Sequence, residues 1–183
     1  MFNFLKRFKG RKSSLDYKLK NGLAERGRTG MGGSIVKVTN SLTAKHIRNG
    51  KVIDKRVVKN KKVTTAFVNF IVDQLIAETS AFGDFKYHDS GTGVGAEDAA
   101  NTALGTPCGE ARDIGTQVEG SQTYEYKSIA TNTYAGAFAI TEHGLFNAAA
   151  AGILMDRTVF SAINVVASDK IEFTFTIQFS AEA

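Results

Sequence analysis

The sequence predicts a mainly β protein, a β-sandwich or jelly-roll-like barrel with one packed helix and an extended basic N-terminal arm. Three observations predict it. In the run from Lys170 to Phe179, Ile171, Phe173, Phe175, Ile177 and Phe179 alternate with Glu172, Thr174, Thr176 and Gln178, the period of a half-buried strand. Upstream lie further short runs with Gly, Asn, Asp or Ser between them, the spacing of antiparallel all-β domains. Before Ser34 the pattern is different, because short apolar pieces alternate with lysine and arginine and end in the glycine-rich Gly27 to Gly33.

Residues 1–33 hold too little contiguous apolar surface to offset their own conformational entropy, so an arm that orders on a partner is expected. Residues 34–183 make up the β-rich domain. Its first part, 34–62, reads as a β-hairpin, since Asn49-Gly50 stands between two β-branched alternating runs and favours the left-handed dihedrals of a two-residue turn. The hairpin's exposed side is crowded with lysine. Over 63–79 the period becomes helical: Phe67, Phe70, Ile71 and Leu75 form one stripe, with Thr64 or Thr65 as the cap. That helix should lie on the sheet. The sandwich proper is expected over 84–183, with strands at Phe85–Asp89, Arg112–Val118, Thr123–Tyr134, Ala137–Phe146, Ile153–Val165 and Lys170–Phe179 and a small-residue loop over Ser90–Gly109.

With 183 residues the chain holds one ordinary domain plus a tail. A single cysteine, Cys108, excludes an internal disulfide and any multi-cysteine metal site. Lysine and arginine interrupt the opening apolar residues, so no export signal is read, and no run is long and apolar enough for a membrane-spanning helix. Charge is the most informative property. Residues 1–62 carry 18 Lys+Arg against three acids, a formal +15, whereas the remaining 121 carry five against 15 acids, a formal −10. The chain is a charge dipole.

Motifs that could carry chemistry are few. His88-Asp89 and Glu142-His143 could be metal ligands or an acid/base pair. Strand neighbours point to opposite faces, however, so each pair is expected to supply one inward group and a structural role is favoured. Gly91, Gly93 and Gly95 evoke a phosphate loop, but Ala96 stands where a third fingerprint glycine belongs, and Glu97 and Asp98 would repel phosphate. A flexible surface loop is the expectation. Cys108 has no partnered histidine in view, and no catalytic residue, cofactor or metal is expected.

The basic third offers a partner-binding surface instead. Lys6, Arg7, Lys9, Arg11, Lys12, Lys18, Lys20, Arg26 and Arg28 on the arm, with Phe4, Phe8 and Tyr17 among them, and Lys55 and Arg56 in the hairpin, are the expected contact residues. They suit an acidic protein surface, including copies of this chain, or nucleic-acid phosphates with aromatic stacking. The acidity of the remaining chain favours protein over nucleic acid. A membrane anchor built on Phe2, Leu5 and Phe8 would be short and is disfavoured.

The runs FKYHDSGTG (Phe85 to Gly93), TALGTP (Thr102 to Pro107), AITEHGLFNAA (Ala139 to Ala149) and LMDRTVFSAINVV (Leu154 to Val166) resemble a group of tailed-bacteriophage virion proteins. The resemblance spans roughly Val57 to the C-terminus and leaves out the basic arm. It implies a small β-rich structural protein of the virion, not an enzyme, either a capsid decoration or cement protein or a tail-associated fibre, baseplate or connector subunit. A decoration protein would bind the major capsid protein through an acidic surface, stabilise the head and self-associate as an oligomer, a trimer being one form. A nucleic-acid-binding module is the reading from a different class.

Overall fold

The computed structural model describes residues 36–61, 63–76, 82–122 and 124–181. The proposed arm, 1–33, lies outside them. Among the described residues nine strands form two antiparallel sheets: β1 (Val36–Arg48), β2 (Lys51–Lys59), β3 (Tyr87–Gly91), β4 (Asp113–Ile114), β5 (Thr116–Glu119), β6 (Glu125–Thr133), β7 (Phe138–Phe146), β8 (Leu154–Val165) and β9 (Lys170–Ala181). The five-stranded sheet runs β2-β1-β9-β6-β5, and the four-stranded sheet β4-β3-β7-β8.

The predicted hairpin is present, with Asn49 (φ 51°) and Gly50 (φ 73°) in the left-handed region that a tight two-residue turn requires. It is no appendage to the sandwich, because β1 pairs along almost its whole length with β9, placing the earliest and latest described strands side by side. The alternation predicted for β9 is realised. Ile171, Phe173, Phe175 and Ile177 are buried in the main core with Leu42 and Ala44 of β1, and Ile140, Leu145 and Ile163 of the opposite sheet.

Helix α1 (Thr65–Ile76) starts two residues after the expected 63, and the expected end at 79 falls within residues 77–81, outside the described ones. Thr64 is the cap: its hydroxyl oxygen accepts from the Phe67 amide at 3.2 Å, while its own amide donates to the Met155 carbonyl at 2.9 Å and ties the helix to β8. Phe67 and Phe70 meet Phe85 edge-to-face, with centroids 5.2 and 4.9 Å apart.

The strand expected at Arg112–Val118 is two strands. The chain leaves the four-stranded sheet after Ile114 and joins the five-stranded sheet at Thr116, crossing the sandwich edge at Gly115. A side chain at Gly115 would strike Ser128 and His88, so the crossover needs a glycine there.

Candidate functional site

The chemistry-bearing residues gather on the four-stranded sheet and occupy both of its faces. Cross-strand register pairs Ser90 with His143 and Gly91 with Glu142, so His88, Ser90 and His143 face the opposing sheet while Asp89 and Glu142 face away. The outward face is itself enclosed. It is covered by the 92–112 segment, which buries Leu104 against Phe146, Leu154 and Tyr87 in a second small core. Each pair thus sends one group toward the opposing sheet, as expected of strand neighbours, and the covering segment buries the other, so all four members are buried.

On the inner face, His88 Nδ1 lies 2.9 Å from His143 Nε2, and His88 Nε2 lies 2.7 Å from Ser128 Oγ. His143 Nδ1 is buried without a partner. An orphaned N–H is costlier than an orphaned lone pair, so the consistent proton order has His143 Nε2–H donating to His88 and His88 Nε2–H donating to Ser128. Burial pushes His88 down to about 3; burial, and then the neighbouring His88, hold His143 well below the ordinary histidine range. Both rings are neutral at pH 7. His88, His143 and Ser128 are each fully enclosed, so this Ser-His-His chain offers no path to a substrate. Nearby, Ser90 Oγ bonds the Tyr134 hydroxyl at 3.0 Å and sits 3.5 Å from Cys108 Sγ.

On the outer face, Glu142 fastens the covering segment. Its carboxylate accepts from the amides of Gly93 (3.0 Å), Gly105 (2.9 Å) and Thr106 (2.7 Å) and from Arg157 Nε (2.7 Å). Burial acts to raise its pKa, but the hydrogen bonds from Thr106, Gly105 and Arg157 outweigh that and keep it below the ordinary glutamate value. The glycine loop lies at the surface as expected, with Val94, Gly95 and Ala96 exposed, and Glu142 pins it at Gly93. Its amides already hold an anion, and that anion is an internal carboxylate. A side chain at Gly91 or Gly93 would collide with Glu142. Arg157 continues outward to the Ala96 carbonyl and Asn101, both at 3.2 Å. Asp89 meets Arg112 at 3.2 Å, and the Arg112 guanidinium lies over the Phe146 ring at 3.4 Å.

Two further buried acids escaped the sequence reading. Asp156 of β8 accepts from Asn40 Nδ2 of β1 and from Thr158 Oγ1, and burial pushes it up to about 7. Asp169 accepts from Arg48 Nη2 (2.6 Å), faces His46 Nε2 (2.8 Å) and takes the Val166 amide (3.1 Å). The Arg48 bond chiefly lowers its pKa, with burial opposing and His46 adding. The available signal was a charged residue in an otherwise apolar strand, as Glu142 stands in AITEHGLF and Arg157 in LMDRTVF.

Among the described residues no group of His, Cys, Asp and Glu could hold a metal, and no helix is long and apolar enough to cross a membrane. Among the described residues the open sheet face belongs to the five-stranded sheet. Its outer face carries Thr39, Ser41, Thr43, Lys45, Glu172, Thr174 and Thr176, and a polar hollow of about 200 Å³ there is lined by residues including Lys59, Glu125 and Gln178. Of the expected contact residues, Lys55 is exposed on this face opposite Lys45. Arg56 shares the opposite face with the buried Ala44, bonding Asp54 and, at 2.9 Å, Ser161 Oγ of β8. Those on residues 4–28 lie outside the described residues.

The fold and its sealed polar interior define an antiparallel two-sheet sandwich whose accessible features are surface and edge. Comparison with family models, curated proteins and solved structures returned no match.

Proposed function

We propose that the protein is a non-enzymatic structural component of a tailed-phage virion, a decoration or cement protein that grips the capsid through its basic segment. The observation that carries this reading is the charge split. The cationic segment 1–62 is a formal +15, and its described part forms β1 and the exposed edge strand β2, while the rest of the chain is a formal −10. A partner with an acidic surface, such as a major capsid protein, would receive the basic side and leave the acidic side facing solvent. The buried histidines, serine and carboxylates support a non-catalytic reading, since their bonds run within the chain and their positions are enclosed. The resemblance of the four runs from Phe85 to Val166 to phage virion proteins favours a virion over other assemblies.

The test is cosedimentation of purified capsids with the full chain and with a chain lacking residues 2–33. The full chain should saturate the capsid at hundreds of copies and the truncated chain should stay in the supernatant. Equal occupancy by both would remove the arm from the mechanism, and about three to a few tens of copies per native particle would move the protein to the tail.

A further inference from the structure

Among the described residues the five-stranded sheet ends in two strands with one unpaired edge each, and their side chains differ in charge sign. At one end is β2, which exposes Lys51, Lys55 and Lys59. Val52, Ile53 and Val57 stand among them, each more than half exposed. At the other end is β5, which exposes Glu119 and follows Glu110 and Asp113. Ile114, Val118 and Tyr124 are the exposed apolar side chains on that side. Asp113 has its pKa raised by burial and then by the neighbouring Glu110. Both edges therefore offer a backbone ladder and a few apolar side chains, under opposite charge.

From this geometry we propose that copies of the protein associate head to tail, β2 of one copy adding to β5 of the next so that the five-stranded sheets run on between subunits. The charges select this pairing from the three available. Pairing β2 with β2 across a two-fold axis would set lysine rows against each other, and β5 with β5 would juxtapose the acids. Only the mixed pairing brings Lys55 and Lys59 toward Glu119. A head-to-tail contact repeats, closing into a ring where the rotation between copies allows and otherwise extending as a filament. This assembly is independent of the arm: a chain that docks through residues 1–33 need not pair at its edges, and the converse also holds.

The test uses the full chain in native mass spectrometry and sedimentation. Lys51→Gln/Lys55→Gln/Lys59→Gln leaves the arm intact and should weaken self-association by about tenfold or more. Asp113→Asn/Glu119→Gln should weaken it similarly. An equimolar mixture of the two variants keeps one intact edge of each kind and should give a 1:1 heterodimer that grows no further. In wild type, carbodiimide cross-linking of mixed ¹⁴N and ¹⁵N chains should join Lys55 or Lys59 of one copy to Glu119 of another, a readout that needs no variant to fold. A wild-type chain monomeric at low salt, a triple-Gln variant assembling as wild type does, or a variant mixture without heterodimer would each overturn the proposal.

Discussion

Among the described residues the four-stranded sheet is covered on both faces, by the opposing sheet on one side and the 92–112 segment on the other, whereas the five-stranded sheet leaves one face and two edges bare. Every acid–histidine pair that the sequence offers as chemistry lies on the covered sheet, where the two histidines bond each other and the two acids are held by Arg112 and Arg157. The bare sheet shows threonine and lysine, residues that draw no attention in a search for catalysis. In this molecule reactive residue types mark where the chain is fastened to itself, and unremarkable ones mark where another surface can dock.

Glu142 is the sharpest place to break that contrast. If it fastens the covering segment, Glu142→Gln removes the charge that answers the buried Arg157 and should destabilise the fold by about 3–5 kcal/mol. The amides of Gly93, Gly105 and Thr106 should lose hydrogen-exchange protection more than amides of β9, which lie on the other sheet. Uniform loss across both sheets would deny Glu142 its local role.

A smaller effect separates the two uses of the glycine loop. A Cβ at Gly93 would press into the Glu142 carboxylate, whereas one at Gly95 would meet nothing within 4 Å. Gly93→Ala should cost about 1–3 kcal/mol in chemical denaturation, and Gly95→Ala should be neutral or slightly stabilising. Equal costs at both positions would mean that backbone freedom, and not contact with Glu142, requires the glycines.

The elements governed by local rules were legible in the sequence. The Asn49-Gly50 turn, the Phe67/Phe70 stripe of α1 and the alternation of β9 each follow from residues adjacent in the chain, and each is present. What the sequence concealed depends on contacts between distant residues. Glu142 reaches amides 36 to 49 positions away, and Asn40 meets Asp156 across 116 positions, so neither pairing leaves a local pattern. The split at Gly115 was hidden because a strand that changes sheets keeps a strand's composition throughout. Arg56 shows the limit for the site residues: counting charge could not tell it from Lys55, but register on β1 turns one toward Ala44 and the other toward Lys45.

The last contrast lies in the response of the sealed interior to acid. His88 and His143 have folded-state values below the ordinary 6.5, so between those values the unfolded chain binds the extra protons, and the stability they permit above about 6.5 is lost as pH falls. Asp156 works in the opposite sense. Its folded value of about 7 lies above the ordinary 3.8, so the folded chain holds the extra proton in between and stability declines as pH rises through that window. Asp89 and Asp113, also raised by burial, act with Asp156. Each proton is worth about 1.4 kcal/mol per pH unit, so replacing single groups should tilt the stability profile in opposite directions. Urea unfolding between about pH 5 and 6 should show His143→Phe losing stability on acidification less steeply than wild type by about that amount, and Asp156→Asn losing it more steeply. Parallel profiles for all three would mean that these groups reach solvent before the fold opens, and the interior would then not be sealed.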